Sequence, residues 1–445
     1  MLKLNNLSAA AIVAILAVTA AVRPIQAADV TRADIEAWLG TEVHADPPAA
    51  GTVIGIDGID DLSGWLPPGY IDEFRFDDVR VEIQATGDYP GHRSYVEASE
   101  KFDGQASIGS DGRLENYTAG RPFSSAQIAD ADAATAGFMV AWNQIHRWQY
   151  TGYKVDALTM TYVAPGNADG PLDVDKGLNG GGSLTRRLTQ YYHRVYLSKL
   201  SWLGDQEYRY DVPDSDTQFF KDYISFLDPF DVKGTSFVVE RHLDPTADDQ
   251  VNIYSPSERR VRRFSAKERA DSFMGSEGTL DDFEGFSGRV LDYTWHYLGR
   301  HPVLYAIDSK HEIAQAFGPY SRLPDDRWQV RDCHVVEVKS ILEDHPYGSR
   351  ILFVDAQTWG VGLSLVIGHD GNLWKTFQTV YRAPLDPSPD ADPELTVIGW
   401  RGQFNIDRAT NNATVVQALT ATEHPAMKPS QIKRMFSVSN LTSGR

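Results

Sequence analysis

The sequence predicts an α+β fold, a large curved antiparallel sheet wrapped around a few helices. Three observations lead there. Short apolar–polar alternations recur from about Tyr191 onward, the period of strands with one buried face. Turn signals separate them, at Asp344-His345-Pro346, Asp370-Gly371 and Asp386-Pro387-Ser388-Pro389. Only two or three stretches carry helical spacing. So few helices cannot cover a large flat sheet, and the sheet is expected to bury one face and to curl around them.

From the N-terminus, residues 1–27 read as an export signal. Lys3 supplies a positive start, Leu7 to Val22 is apolar apart from Ser8 and Thr19, and Ala27 offers a small residue for cleavage before Ala28. A single domain is expected over 28–445. Thr31 to Leu39 reads as a short helix, with Thr31 as cap, Asp34 at the third helical position, and Ile35, Trp38 and Leu39 on one face. Asp111-Gly112 opens a hairpin turn. Ala126 to Trp148 reads as one longer helix, with Phe138, Trp142, Ile145 and Trp148 as a core-facing stripe. Ala164 to Thr185 has no hydrophobic period, contains Gly177, Gly180, Gly181 and Gly182, and reads as a surface loop. Beyond it, Thr235, Phe237, Val239 and Leu243 share a strand face. Val251 with Ile253, Val303 with Tyr305 and Ile307, Val336 with Val338, and Ile351 with Phe353 repeat the pattern. Trp374 and Phe377, then Val397 to Ile406, continue it. The Pro/Asp run from Leu385 to Pro393 reads as a surface loop.

Composition narrows the function. The net charge of −19 over 445 residues disfavours binding to nucleic acid or to an anionic membrane surface. One cysteine, Cys333, excludes an internal disulfide and a Cys-rich metal site, and its strand context suggests a buried small hydrophobe. There is no His-Glu-x-x-His, no Walker loop and no dinucleotide fingerprint. Gly285-Phe286-Ser287-Gly288 is half of a nucleophile elbow, with Arg289 where the closing glycine belongs. No enzymatic activity, cofactor or metal is expected. The densest polar segment, Asp248 to Gly288, holds Arg259-Arg260-Val261-Arg262-Arg263 between Asp248-Asp249 and Asp281-Asp282-Phe283-Glu284. If extended, Arg260 and Arg262 face one way and Arg259 and Arg263 the other. Arginine forks at such a spacing suit a carboxylate or phosphate, such as a lipid headgroup; a salt-bridge lattice with the flanking aspartates suits them as well. Asp281, Asp282 and Glu284 could also be weighed as calcium ligands or as a glycosidase pair. His296 and His301 lack a recognisable proton-transfer partner and read as structural.

Several strings taken in order resemble an exported bacterial family, domain of unknown function 1329, often labelled outer-membrane lipoprotein-sorting protein. They are Asn116 to Phe123, Ala141-Trp142-Asn143, Asp231 to Thr235, and Tyr254-Ser255-Pro256 with the arginine cluster. Asp281-Asp282-Phe283, Gly285 to Gly288, Arg350 to Asp355 and Gly371 to Lys375 complete the series. The resemblance implies a fold similar to the lipoprotein carrier of the outer-membrane sorting pathway: an incomplete antiparallel β-barrel with an apolar cavity between sheet and helices. It also implies a periplasmic location and traffic beside a resistance-nodulation-division exporter.

The expected function is therefore a periplasmic carrier of a hydrophobic ligand, a lipid or a lipidated protein. Phe237, Val239, Ile253, Trp295, Phe353 and Trp374 are the candidate apolar lining, and Arg260 with Arg262 the candidate headgroup contacts. The alternatives are an exporter adaptor without a small ligand and a periplasmic hydrolase.

Overall fold

Sheet formation is plainest at Ile351-Leu352-Phe353-Val354. An unbroken run of branched and aromatic side chains favours extended backbone and suits a strand buried on both faces. In a computed structural model of the chain, which describes residues 29–43, 46–166, 172–264, 269–385 and 396–442, this run is the core of one strand in a 16-stranded sheet. The expected export signal at 1–27 lies outside the described residues, as do parts of the glycine-rich stretch (167–171) and of the Pro/Asp run (386–393).

Thirteen strands of that sheet position the site. They are β1 (Gly152–Ala164), β2 (Ser183–Tyr196), β3 (Gln218–Asp228), β4 (Ser236–His242), β5 (Gln250–Ser255), β6 (Arg260–Phe264), β7 (Tyr293–Tyr305), β8 (Arg327–Ser340), β9 (Ser349–Asp355), β10 (Val361–Ile367), β11 (Leu373–Leu385), β12 (Val397–Asp407) and β13 (Ala413–Ala418). They pair antiparallel in the order β7-β8-β9-β10-β11-β12-β13-β1-β2-β3-β4-β5-β6. This is an up-and-down meander in which β13 returns to pair with β1. Among the described residues β6 pairs only with β5 and β7 only with β8, so the sheet stays open there. The predicted curved, unclosed antiparallel sheet is the fold observed.

The strand region begins earlier than the periodicity from Tyr191 suggests, because β1 and the first half of β2 precede it. Register shifts between Val155 and Leu158, and again between Tyr162 and Val163, explain the omission. Each bulge moves the alternation to the opposite phase, so no single period runs through β1.

The expectation of one buried face is corrected. In β9 and β10 every residue is buried. Ile351 and Phe353 pack on one side with Trp38 of the N-terminal helix α1 (Arg32–Leu39), with the Phe353 and Trp38 rings 6.2 Å apart. Leu352 and Val354 pack on the other side with the helix Ala133–Ile145. The N-terminal segment around Leu62, Trp65 and Phe74 covers the outer side, a role for which it shows almost no periodic signal. Two short C-terminal helices, Pro429–Met435 and Val438–Leu441, cover β3 and β4 through Ile432, Phe436 and Leu441.

Helix α1 follows the sequence. The Thr31 hydroxyl accepts from the Asp34 amide, the Asp34 carboxylate accepts from the Thr31 amide, and Ile35 and Trp38 are buried. The single helix expected over 126–148 is two helices. One, Ser125–Asp130, is capped by Ser124 with Gln127; the other, Ala133–Ile145, is capped by Asp132, which accepts from the Ala134 and Thr135 amides. A second strong cap inside the stretch ends one helix and starts the next. Trp148 falls beyond the helix, and its indole donates to the Thr396 carbonyl. The longer helix lies directly on β7. A Cβ at Gly137 would stand 2.8 Å from the Trp295 carbonyl carbon, a distance that only glycine avoids.

Gly137→Ala therefore sets helix propensity against packing. Propensity alone would stabilise the helix by about 1 kcal/mol, whereas forcing the helix off β7 costs about 1–3 kcal/mol. We expect a net loss of stability, read as a lower midpoint in urea denaturation; a raised midpoint would contradict this contact.

Candidate functional site

Between β6 and β7 the chain crosses the inner face of the sheet. This crossing segment, described from Arg269 to Gly288, is built of single 3-10 turns, Phe273–Gly275 and Leu280–Gly285, with Glu284 and Gly285 both at positive φ. Gly285 is required twice. Its φ is +83°, and a Cβ there would stand 2.5 Å from Cβ of Val361.

Three carboxylates of the segment are buried, and each meets a buried arginine from a different part of the chain. Asp281 bonds Arg269 at 2.6 Å and receives the Tyr293 hydroxyl at 2.6 Å. Asp282 bonds Arg350 of β9 at 2.5 Å and receives the Tyr347 hydroxyl at 2.9 Å. Glu284 bonds Arg147, just past the helix Ala133–Ile145, at 2.7 Å and lies 3.9 Å from Arg194 of β2. These contacts explain the curvature. Six strand steps separate β9 from β2, about 29 Å in a flat sheet. Asp282 and Glu284 are two residues apart and span at most about 7 Å. Even with two arginines reaching inward, both contacts require the sheet to curl round the segment.

A cavity of about 80 Å³ lies between the segment and the inner faces of β1–β4, β12 and β13. A single water needs about 10–15 Å³ on this measure. Met160, Tyr192, Ile224, Val239, Phe283 and Val416 give it an apolar wall, and the Phe283 ring sits between Tyr192 (5.3 Å) and Trp400 (5.5 Å). The charged groups at its edge are already paired: Arg194 with Asp222 (2.7 and 2.8 Å), and Arg241 with Asp249 (2.7 and 2.8 Å). Three neutral groups are not. Tyr192 Oη, Gln190 Oε1 and Gln403 Oε1 are buried without a hydrogen-bond partner among the described residues. The Gln403 amide nitrogen donates to the Asp282 carbonyl and to Asn405 Oδ1, which fixes Oε1 as its free atom. Unpaired buried acceptors are costly, so the cavity suits a mostly apolar guest with a hydrogen-bond donor at one point.

Of the residues singled out from the sequence, Val239 lines this cavity. Phe237, two residues before it on β4, packs in the same core, 6.5 Å from the Phe273 ring, without lining the cavity. Ile253 is half-buried at the edge of that core, and Phe353 packs against Trp38 on the outer side. Trp295 packs against Phe286 at 5.0 Å, and the Trp374 indole donates to Asp407. These four line neither this cavity nor the second one described below. Arg260 and Arg262 lie on the terminal strand β6, largely exposed, and both pair with Glu258 (3.0 and 2.6 Å). Arg259 is not extended; it has a φ of +52° in the turn before β6. A salt-bridge lattice with Asp248, Asp249, Asp281 and Asp282 exists, but its arginines are Arg289, Arg241, Arg269 and Arg350. The carboxylates weighed as calcium ligands thus bind guanidinium groups. The Ser287 carbonyl accepts from Arg241 and Arg269, the His301 ring packs on Trp38 at 3.9 Å with a tilt of 36°, and Cys333 is fully buried.

The lattice sets an acid limit on stability. Burial pushes the Asp281 carboxyl up, but Arg269 and the Tyr293 hydroxyl outweigh it and hold it below its ordinary value of 3.8. Asp249 behaves alike under burial opposed by Arg241 and Arg269. A carboxylate held low in the folded state stabilises above its unfolded value and loses that contribution as pH falls through the folded one. The contribution of these two carboxylates should therefore be level above about pH 4 and decline below it. Asp281→Asn leaves Arg269 with Asp249 alone, and a half-broken buried ion pair costs about 3–5 kcal/mol at pH 7. The variant should also show a shallower acid decline in urea denaturation; an acid slope equal to the wild type would contradict the assignment.

No helix among the described residues is long and apolar enough to cross a membrane. Among solved structures, the chain is similar to a domain from Vibrio parahaemolyticus described as of the outer membrane lipoprotein-sorting type, at 15% identity and TM-score 0.45 over 69% of this chain and 99% of that one. It is similar to a DUF1329 family protein from Desulfovibrio piger ATCC 29098, at 15% identity and TM-score 0.45 over 70% and 100%. A third is the LolA superfamily protein NE2245 from Nitrosomonas europaea, at 13% identity and TM-score 0.36 over 70% and 100%. No curated protein matches the chain. The family model described as protein of unknown function (DUF1329) matches residues 53–442, and the chain belongs to that family.

Proposed function

We propose that this protein is a non-enzymatic periplasmic carrier whose hydrophobic ligand enters between the curled sheet and the crossing segment. The observation that supports it is the cavity itself: an apolar wall of Met160, Tyr192, Ile224, Val239, Phe283 and Val416, with the free acceptors Gln190 Oε1 and Gln403 Oε1 beside it. Each methylene moved from water into such a wall gains about 0.8 kcal/mol. Ten would give about 8 kcal/mol before ordering costs, enough for a carrier that must also release. A long chain needs more room than the cavity holds, so loading moves the crossing segment away from β2 and β12, with Phe283 as the side chain that leaves. The ion pair of Asp282 with Arg350 keeps the segment anchored on β9 while it does so. A hydrolase reading finds little support, because the charged side chains edging the cavity are engaged with one another. An exporter serving as donor or acceptor would meet the β3–β4 turn, where Phe230 is 93% exposed.

Native mass spectrometry of protein prepared without detergent and incubated with total lipid extract tests this reading. A stoichiometric lipid adduct is expected on the wild type, and Val239→Trp, which fills the cavity, should lose it while unfolding at a similar temperature. A wild type that stays free of lipid would overturn the proposal.

A further inference from the structure

A second, larger pocket of about 250 Å³ lies at the end of the helix Ala133–Ile145. It is bounded by the end of the helix Ala133–Ile145, residues 114–117, Lys199, the start of β3, the end of β4 and residues 288–290. Tyr117, Trp142 and Phe219 form its apolar walls. Its charged lining is all of one sign: Lys199, Arg241 and Arg289, with no Asp or Glu among the described lining residues. That is a departure in a chain of net charge −19.

Two of these cations have capacity to spare. Arg289 is 8% exposed; its terminal nitrogens meet Asp248 and Asp292, but its Nε is buried without a partner. Lys199, held at a φ of +63°, donates to the Tyr117 carbonyl at 2.8 Å and sits 5.1 Å from the Tyr117 ring, and it makes no ion pair among the described residues. Burial pulls its ammonium below the ordinary lysine range. Beside them His146 is 9% exposed, its Nδ1 lacks a partner, and its ring packs on Tyr117 (4.4 Å) and Phe219 (5.0 Å). Burial, then Lys199, push this imidazole well below its usual range, so it is neutral and offers a hydrogen bond without a charge. An ammonium without an ion pair, a guanidinium with a free buried Nε–H and a neutral imidazole against aromatic walls match an oxyanion attached to an apolar body.

We propose that this pocket binds the oxyanion of an amphiphile, a carboxylate or a phosphate monoester, between Lys199 and Arg289, with its apolar body against Tyr117, Trp142 and Phe219. The site is distinct from the internal cavity, with Arg241 as the wall between them.

Isothermal titration with decanoate, decyl phosphate and decanol tests the proposal on wild type, Lys199→Met, Lys199→Arg and Val239→Trp. At least one anion should bind the wild type more tightly than decanol, and the stronger of the two names the headgroup. Lys199→Met should weaken that anion about tenfold or more, Lys199→Arg should restore most of the loss, and Val239→Trp should leave anion binding in place. Equal affinity for anion and alcohol, or an anion affinity unmoved by Lys199→Met, would overturn it. Loss of anion binding in Val239→Trp with retention in Lys199→Met would also overturn it, by placing the anion in the internal cavity.

Discussion

The architecture depends on one set of interactions, the buried ion pairs that tie Asp281, Asp282 and Glu284 of the crossing segment to Arg269, Arg350 and Arg147. Taking three carboxylates out of water is costly, and each is kept only because an arginine and, in two cases, a tyrosine hydroxyl complete its hydrogen bonding. Such pairs add little net stability compared with a well-packed apolar core. They do fix geometry, because removing one partner leaves an uncompensated charge. Here the geometry they fix is a curled sheet: β9 and β2 are held against one short stretch of chain that a flat sheet could not bring within reach of both.

The remaining features follow from that curl. The sheet wraps around one helix at β7–β9 and around a segment of single turns elsewhere, and beside the turns its interior is packed incompletely. The gap falls beside Phe283. Polar residues of β2 and β12 that would be ordinary on a solvated face turn inward, and some find no partner. On the outside, the N-terminal segment, the loop carrying Leu178 and the C-terminal helices cover the second face, so the sheet is buried on both sides. A segment tied to the sheet by ion pairs, with a cavity beside it, is mechanically suited to admitting a guest.

How much of this was legible in the sequence varied with the physics. The capped helix at Thr31 and the strands around Phe237, Val303 and Phe353 were readable, because their signals are local and periodic. The strand β1 was not, since two bulges reverse its phase. The break between Asp130 and Ala133 was readable in principle from Asp132 as a cap. The cavity was mostly hidden. Gln190, Tyr192 and Arg194, or Gln403 and Asn405, alternate along a strand as a solvent-facing row does, and only the curl turns that row inward. The acidic and basic runs near residues 248–288 announced a charge lattice, yet linear proximity pointed to Arg260 and Arg262. The true partners, Arg147, Arg194 and Arg350, come from distant elements that only the folded sheet brings together.

The most direct test of the account is to map where a hydrophobic guest sits. A diazirine-bearing fatty acid, photolysed with the wild-type protein and located by peptide mass spectrometry, should label the crossing segment between Arg269 and Gly288 and the inward-facing positions of β2 and β4. Label confined to exposed apolar positions such as Phe230 would mean that the cavity beneath the crossing segment does not open, and would contradict the account.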